Sequence, residues 1–156
     1  GSSFMVKHGQ NEPFCTVGTA VKCGMKIRLE HIQTGKNVHS HLFRAALTGN
    51  QEVSGFGEGG VGDTGDNWSI QCSQGDDLWR RGSWVELKHV DTGKFLYTSS
   101  RATFNAQNCG GGCPIMGQTE VSSSGKKSDG TTKWATGSGV YYPSKEEQMG
   151  EDDDEL

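Results

Sequence analysis

GMKIRLEHIQTGK, residues 24–36, is written a second time as GSWVELKHVDTGK, residues 82–94. In register, Gly24 matches Gly82, Ile27 matches Val85, Leu29 matches Leu87 and His31 matches His89. Ile32 then matches Val90, and Thr34-Gly35-Lys36 matches Thr92-Gly93-Lys94. The first copy alternates, with Ile27, Leu29 and His31 on one side and Lys26, Arg28 and Glu30 on the other. A period of two predicts a half-buried strand rather than a helix. The glycine-bearing words 33–36 and 91–94 read as turns, and Val38 with Ser40, like Leu96 with Thr98, begins a return strand. Each copy is therefore a predicted hairpin.

Two further words repeat downstream. GNQEVS at 49–54 returns as GQTEVS at 117–122, and Trp68 has a counterpart in Trp134. The offsets are 58 (24 to 82), 68 (49 to 117) and 66 (68 to 134), which one repeat with an insertion of about ten residues in its second copy explains. Repeat A then covers about 20–72 and repeat B about 78–136. Ahead of them lie two strand-like runs, Phe4–Lys7 and Thr19–Lys22. Phe4 stands where Trp68 and Trp134 stand, so its run reads as the last strand of an earlier repeat whose body is missing. GFGEGGVGDTGD (55–66) is loop by glycine content, and the insertion around 101–116 carries CGGGC. After Trp134 come a short predicted strand, Val140-Tyr141-Tyr142, and an acidic tail over 146–156. No segment has a helical period. The fold class is all-β.

At 156 residues, with 31% hydrophobic residues, 24 glycines and 3 prolines, the chain predicts one domain with a small core and many turns. A net charge of −4 lacks the basic footprint of a nucleic-acid binder. No apolar run approaches the roughly 20 residues of a membrane span. Gly1-Ser2-Ser3 reads as a processing or cloning remnant and is set aside. Five cysteines without a C-x-x-C pair favour disulfides and an oxidising compartment, against the alternative of reduced, packed thiols. Cys23 with Cys72 would staple repeat A, Cys109 with Cys113 would close a small ring, and Cys15 is left over. The chain ends Asp153-Asp154-Glu155-Leu156, close to a K-D-E-L endoplasmic-reticulum retrieval address but with Asp in first position.

The words KCGMKIRLEHIQTGKNVHSH (22–41) and GNQEVSGFGEGGVGDTGDNW (49–68), with the terminal DDEL, resemble the stromal cell-derived factor 2 proteins of the MIR-domain group. The resemblance runs over about 4–145 and is closest between 22 and 72. It implies a β-trefoil of three hairpin repeats, of which this chain shows two and a fragment. A barrel short of one repeat would expose strand edges, so either a dimer covers them or the fold is open and marginal. The resemblance also implies a non-enzymatic component of endoplasmic-reticulum protein folding, located in the lumen. Its implied partners are a luminal J-domain cochaperone, the luminal Hsp70 chaperone and unfolded or glycosylated clients. The alternative is a lectin-like module for mannose-type glycans, with Tyr97 and Trp79 as stacking candidates.

Among individual residues, His39 and His41 lie two apart on a strand and so share a face. No carboxylate or cysteine converges on them in sequence, so no metal site and no cofactor are expected. They are expected instead to shape a surface groove with Arg44. His31 and His89 occupy equivalent inward positions, as core histidines with satisfied hydrogen bonds. Trp79, beside Arg80 and Arg81, is either an exposed aromatic of the binding hot-spot kind or a residue packed under a loop. No catalytic motif is present: no G-x-S-x-G, no H-E-x-x-H and no P-loop.

Overall fold

The computed structural model describes residues 3–73, 75–126 and 130–137. The chain is all-β. Among the described residues eight strands follow in order: β1 (Phe4–His8), β2 (Lys26–His31), β3 (Lys36–Arg44), β4 (Gln51–Phe56), β5 (Trp68–Cys72), β6 (Val85–His89), β7 (Phe95–Thr103) and β8 (Thr119–Ser124). Their order in the sheet is β1-β2-β3-β4-β8-β7-β6-β5, and β5 also pairs with β2. Seven strands, β2 to β8, therefore close into a barrel-like ring, with β1 added along β2.

Closure rests on two short contacts. Lys26 and Ile27 pair with Ser69 and Trp68. Gln51 and Glu52 pair with Ser123 and Ser122, joining the two hairpins. Of the two alternatives, a dimer covering exposed edges or an open fold, the open one does not hold, because pairing within the chain closes the ring. The edge left without a strand partner among the described residues is the outer edge of β1.

Corresponding residues of the two copies make corresponding bonds. Ile27 pairs with Trp68, and Val85 bridges to Trp134. The Trp68 indole donates to the Val38 carbonyl at 2.9 Å, and the Trp134 indole to the Leu96 carbonyl at 3.0 Å. Each turn closes by a glycine N–H to a histidine carbonyl, Gly35 to His31 at 2.9 Å and Gly93 to His89 at 2.7 Å. Both glycines have φ near +70° (66° and 74°), a left-handed conformation that a side chain strains. The core gathers Val21, Ile27, Leu29, Trp68, Ile70, Trp79, Val85, Leu87 and Leu96.

Four local readings differ from the sequence expectation. Thr19–Lys22 forms no strand; Lys22 makes a single bridge to Leu78. The insertion contains one helical turn, Ala106–Cys109, held by a reciprocal cap between Asn105 and Asn108. His89 is buried, whereas His31 is only half-buried beside the Phe4 ring. Arg28 and Glu30, read as the outer face of β2, are buried. β1 and the glycine loop cover that face. The predicted strand 140–142 and the acidic tail lie outside the described residues.

Disulfides join Cys23 to Cys72 and Cys109 to Cys113, and Cys15 belongs to neither. The first spans 49 residues and the second 4. A cross-link restrains the unfolded chain more as its loop grows. The Cys23→Ala/Cys72→Ala variant is therefore expected to lose about 3 kcal/mol in denaturant titration, and Cys109→Ala/Cys113→Ala clearly less. The reverse ranking would show that the small ring, not the long one, organises the domain.

Candidate functional site

β3 and β4 do not pair evenly. Ser40 lies opposite Val53 and Arg44 opposite Gln51, so His41, Leu42 and Phe43 face Glu52 alone. This is a bulge of the β3 strand, a device that re-aims side chains. It thrusts Leu42 and Phe43 into solvent, 83% and 65% exposed. Behind them a row of rings runs along the strand. Phe56 stacks on His39 at 4.3 Å between centroids, His39 meets His41 at 5.2 Å, and His41 meets Phe43 at 4.6 Å. His41 Nε2 is 2.7 Å from Glu52 Oε1, and Arg44 closes the strand, exposed.

Of the residues singled out in the sequence, His39, His41 and Arg44 belong to this strand, with His39 buried and the other two at the surface. Trp79 does not form part of any exposed surface. It is 7% exposed within the core, its backbone N–H bonded to the Val21 carbonyl at 2.8 Å. Of its two readings, the packed one holds. The charges around it mislead because Arg80 turns outward, to Asp77 at 3.4 Å and Asp76 at 3.9 Å. Leu42 and Phe43 were missed because two apolar residues in a strand look like core until the bulge is seen.

Beneath the ring row lies a buried charged cluster that sequence reasoning also missed. The Gly60 carbonyl accepts from three donors: Lys7 Nζ at 2.8 Å, Asn37 Nδ2 at 3.2 Å and Arg28 at 3.3 Å. Lys7 Nζ also lies 3.2 Å from Glu30 Oε1. Asp66, fully buried, takes His39 Nδ1 at 2.8 Å on one oxygen. Its other oxygen takes Asn37 Nδ2 at 3.1 Å and the Asp63 N–H at 3.0 Å. Burial pushes Lys7 and Arg28 below their ordinary pKa values, while Glu30 and Asp66 oppose that shift. Gly60, at φ +79°, has no room for a β-carbon, which would meet the Glu30 carboxylate and Lys7 Nζ.

Two carboxylates therefore do converge on His39, contrary to the sequence expectation. Ligand atoms of His39, Asp63 and Asp66 lie within 4.8 Å of one another, enough to share an ion. The same atoms are satisfied without one, because Asp63 and Asp66 cap the turn Thr64–Asp66 and Asp66 pairs with His39.

That turn is also held from the second copy. His89 Nε2 donates to the Gly65 carbonyl at 2.8 Å, while Nδ1 takes the Thr92 hydroxyl at 2.8 Å. Gln51 Nε2 donates to the same Thr92 oxygen at 3.0 Å, which leaves the hydroxyl proton for His89. Burial pushes His89 below the usual histidine range, helped by nearby His39 and opposed by the Gly65 bond and Asp91. As pH falls through about 6.5 the unfolded chain takes up a proton that folded His89 resists. Stability is thus expected to be full above about 6.5 and to fall below it. Urea midpoints at pH 7.5 and 5.5 check this; equal midpoints would mean His89 titrates normally.

A MIR-domain family model matches residues 2–132. The chain belongs to the MIR-domain family. It is 47% identical over 128 residues to a stromal cell-derived factor 2-like protein of Dictyostelium discoideum, covering 82% of this chain and 56% of that protein. It is 37% identical over 153 residues to human stromal cell-derived factor 2-like protein 1, covering 97% and 64%. The crystal structure of the SDF2-like protein from Arabidopsis thaliana superposes with a TM-score of 0.74 at 34% identity, over 90% of this chain and 72% of that one. This MIR chain thus spans about 56–64% of the length of those two curated relatives. No helix among its described residues is long and apolar enough to cross a membrane.

Proposed function

We propose that this MIR chain is a non-catalytic component of protein folding and quality control in the endoplasmic-reticulum lumen. It binds a luminal J-domain cochaperone, the associated Hsp70 and unfolded or glycosylated clients. The observation that carries this reading is the exposed Leu42–Phe43 pair on the β3 bulge, in a chain that resembles the stromal cell-derived factor 2 proteins. A stable domain gains nothing from two such side chains in water, whereas an interface does. The two disulfides favour an oxidising compartment. The terminal Asp153-Asp154-Glu155-Leu156, outside the described residues, supplies the retrieval address in this reading.

The strand arrangement belongs to the same reading as a β-trefoil. β2–β5 and the matching strands from β6 to Trp134 are two of its units, and β1 is the last strand of a third. The matched tryptophan and turn bonds support that assignment. The outer edge of β1 is where a further hairpin unit, or a second copy of the chain, would pair.

Size-exclusion chromatography with light scattering, with and without a luminal J-domain cochaperone, tests the partner role. Co-elution as a defined complex is the expected result. A folded chain that elutes alone in both runs would end the cochaperone reading and leave glycan binding to be tested on arrays.

A further inference from the structure

The second hairpin carries a bulge of its own. Thr98 lies opposite Val121 and Thr103 opposite Thr119, so Ser99, Ser100, Arg101 and Ala102 face Glu120 alone. Where the β3 bulge ejects apolar side chains, this one walls an open surface pocket of about 310 Å³. Its lining includes Tyr97, Ser99 and Arg101 of β7, Leu47 and Thr48 of the β3–β4 turn, and Asn108 of the helical turn. The size sits at the lower end of small-molecule sites, room for a single ring.

The walls are fixed before any ligand arrives. Buried Glu120 holds the Leu47–Thr48 turn, taking the Thr48 N–H at 3.2 Å and its hydroxyl at 2.7 Å, and the Leu47 N–H as well. Asn108 is locked by its cap, accepting from the Asn105 N–H at 2.9 Å and donating to the Thr103 carbonyl at 3.0 Å. The Ser99 hydroxyl oxygen takes the Arg101 N–H at 3.3 Å and keeps its own proton to give.

Two lining groups stand apart from this bonding. The Arg101 guanidinium and the Tyr97 hydroxyl make no hydrogen bond or ion pair among the described residues. Arg101 supplies the only charge in the lining among the described residues. We infer that this pocket binds a pyranose bearing an anionic substituent, a carboxylate or a phosphate. Arg101 takes the anion, Tyr97 offers a ring and a hydroxyl to the sugar, and Ser99 with Thr48 meets sugar hydroxyls. Guanidinium forks match both carboxylate and phosphate geometry, and an aromatic ring with a polar tip suits a ligand apolar on its faces and polar at its rim. The site shares no residue with the β3 bulge. It adds a small-ligand function to the protein-binding one.

The test is NMR titration of the isotope-labelled full chain with four probes: glucuronate, glucose 6-phosphate, glucose and inorganic phosphate. The expected result is saturable shifts of the Thr48, Tyr97, Ser99 and Arg101 amides with one or both acidic sugars. Glucose and inorganic phosphate should bind about tenfold more weakly or not at all. Glucuronate alone or glucose 6-phosphate alone identifies which anion the site takes. Arg101→Ala, at an exposed side chain, is expected to weaken the acidic sugars by about tenfold or more with an unchanged melting temperature. Equal binding of glucose, equal binding of inorganic phosphate, shifts away from these residues, or no shifts at millimolar probe would each overturn the inference.

Discussion

Asp66→Ala is expected to remove about 3–5 kcal/mol of folding stability. That is a large part of the roughly 5–15 kcal/mol a domain of this size possesses. Asp66 is fully buried and holds His39, Asn37 and the Asp63 N–H. Its charge also helps to offset Lys7 and Arg28, both buried and both shifted by desolvation. Without it, two buried cations face Glu30 alone. Urea titration followed by tryptophan emission measures the loss, since Trp68 sits in the core. Asp66→Asn separates the causes, because it keeps an acceptor and discards the charge. Retained stability in that variant would assign the effect to hydrogen bonds, and a loss equal to alanine's would assign it to charge. A loss under about 1 kcal/mol in the alanine variant would mean the cluster is hydrated after all.

The second large effect concerns the proposed partner. Replacing Leu42 and Phe43 together by serine is expected to abolish co-elution with a luminal J-domain cochaperone while leaving the melting temperature within a degree or two. Hot-spot side chains contribute about 2–4 kcal/mol each to an interface, so losing two weakens binding at least about a hundredfold. Neither side chain supports the core, because both stand mostly in solvent. Arg44→Ala, at the strand end, should weaken binding less. Undiminished co-elution of the double variant would move the interface off the β3 bulge.

The hairpins were legible because a period of two and a glycine turn are local signals, and the chain states them twice. Cys23–Cys72 and Cys109–Cys113 could be named as pairs because the repeat ordered the cysteines along it. The buried cluster was not legible. Lys7, Arg28 and Glu30 alternate with apolar residues as solvated charges do, and only the glycine loop folded over them makes them interior. Asp63 and Asp66 follow His39 by 24 and 27 positions (39 to 63, 39 to 66) inside a stretch that composition marks as loop. Trp79 was ambiguous because its neighbours are charged while its own side chain turns the other way. Bulges are hidden for a different reason. They depend on the register of two strands, which neither strand's sequence specifies alone.

The Gly60 carbonyl carries a consequence of another kind. Three donors, two of them cationic, polarise one C=O bond and lengthen it. Its stretching vibration is therefore displaced to low frequency from the other amides of the chain. An isotope label at that single carbonyl would make it a built-in infrared gauge of whether loop, lysine and arginine are assembled. It would report the first loosening of the domain before the core Trp68 meets water.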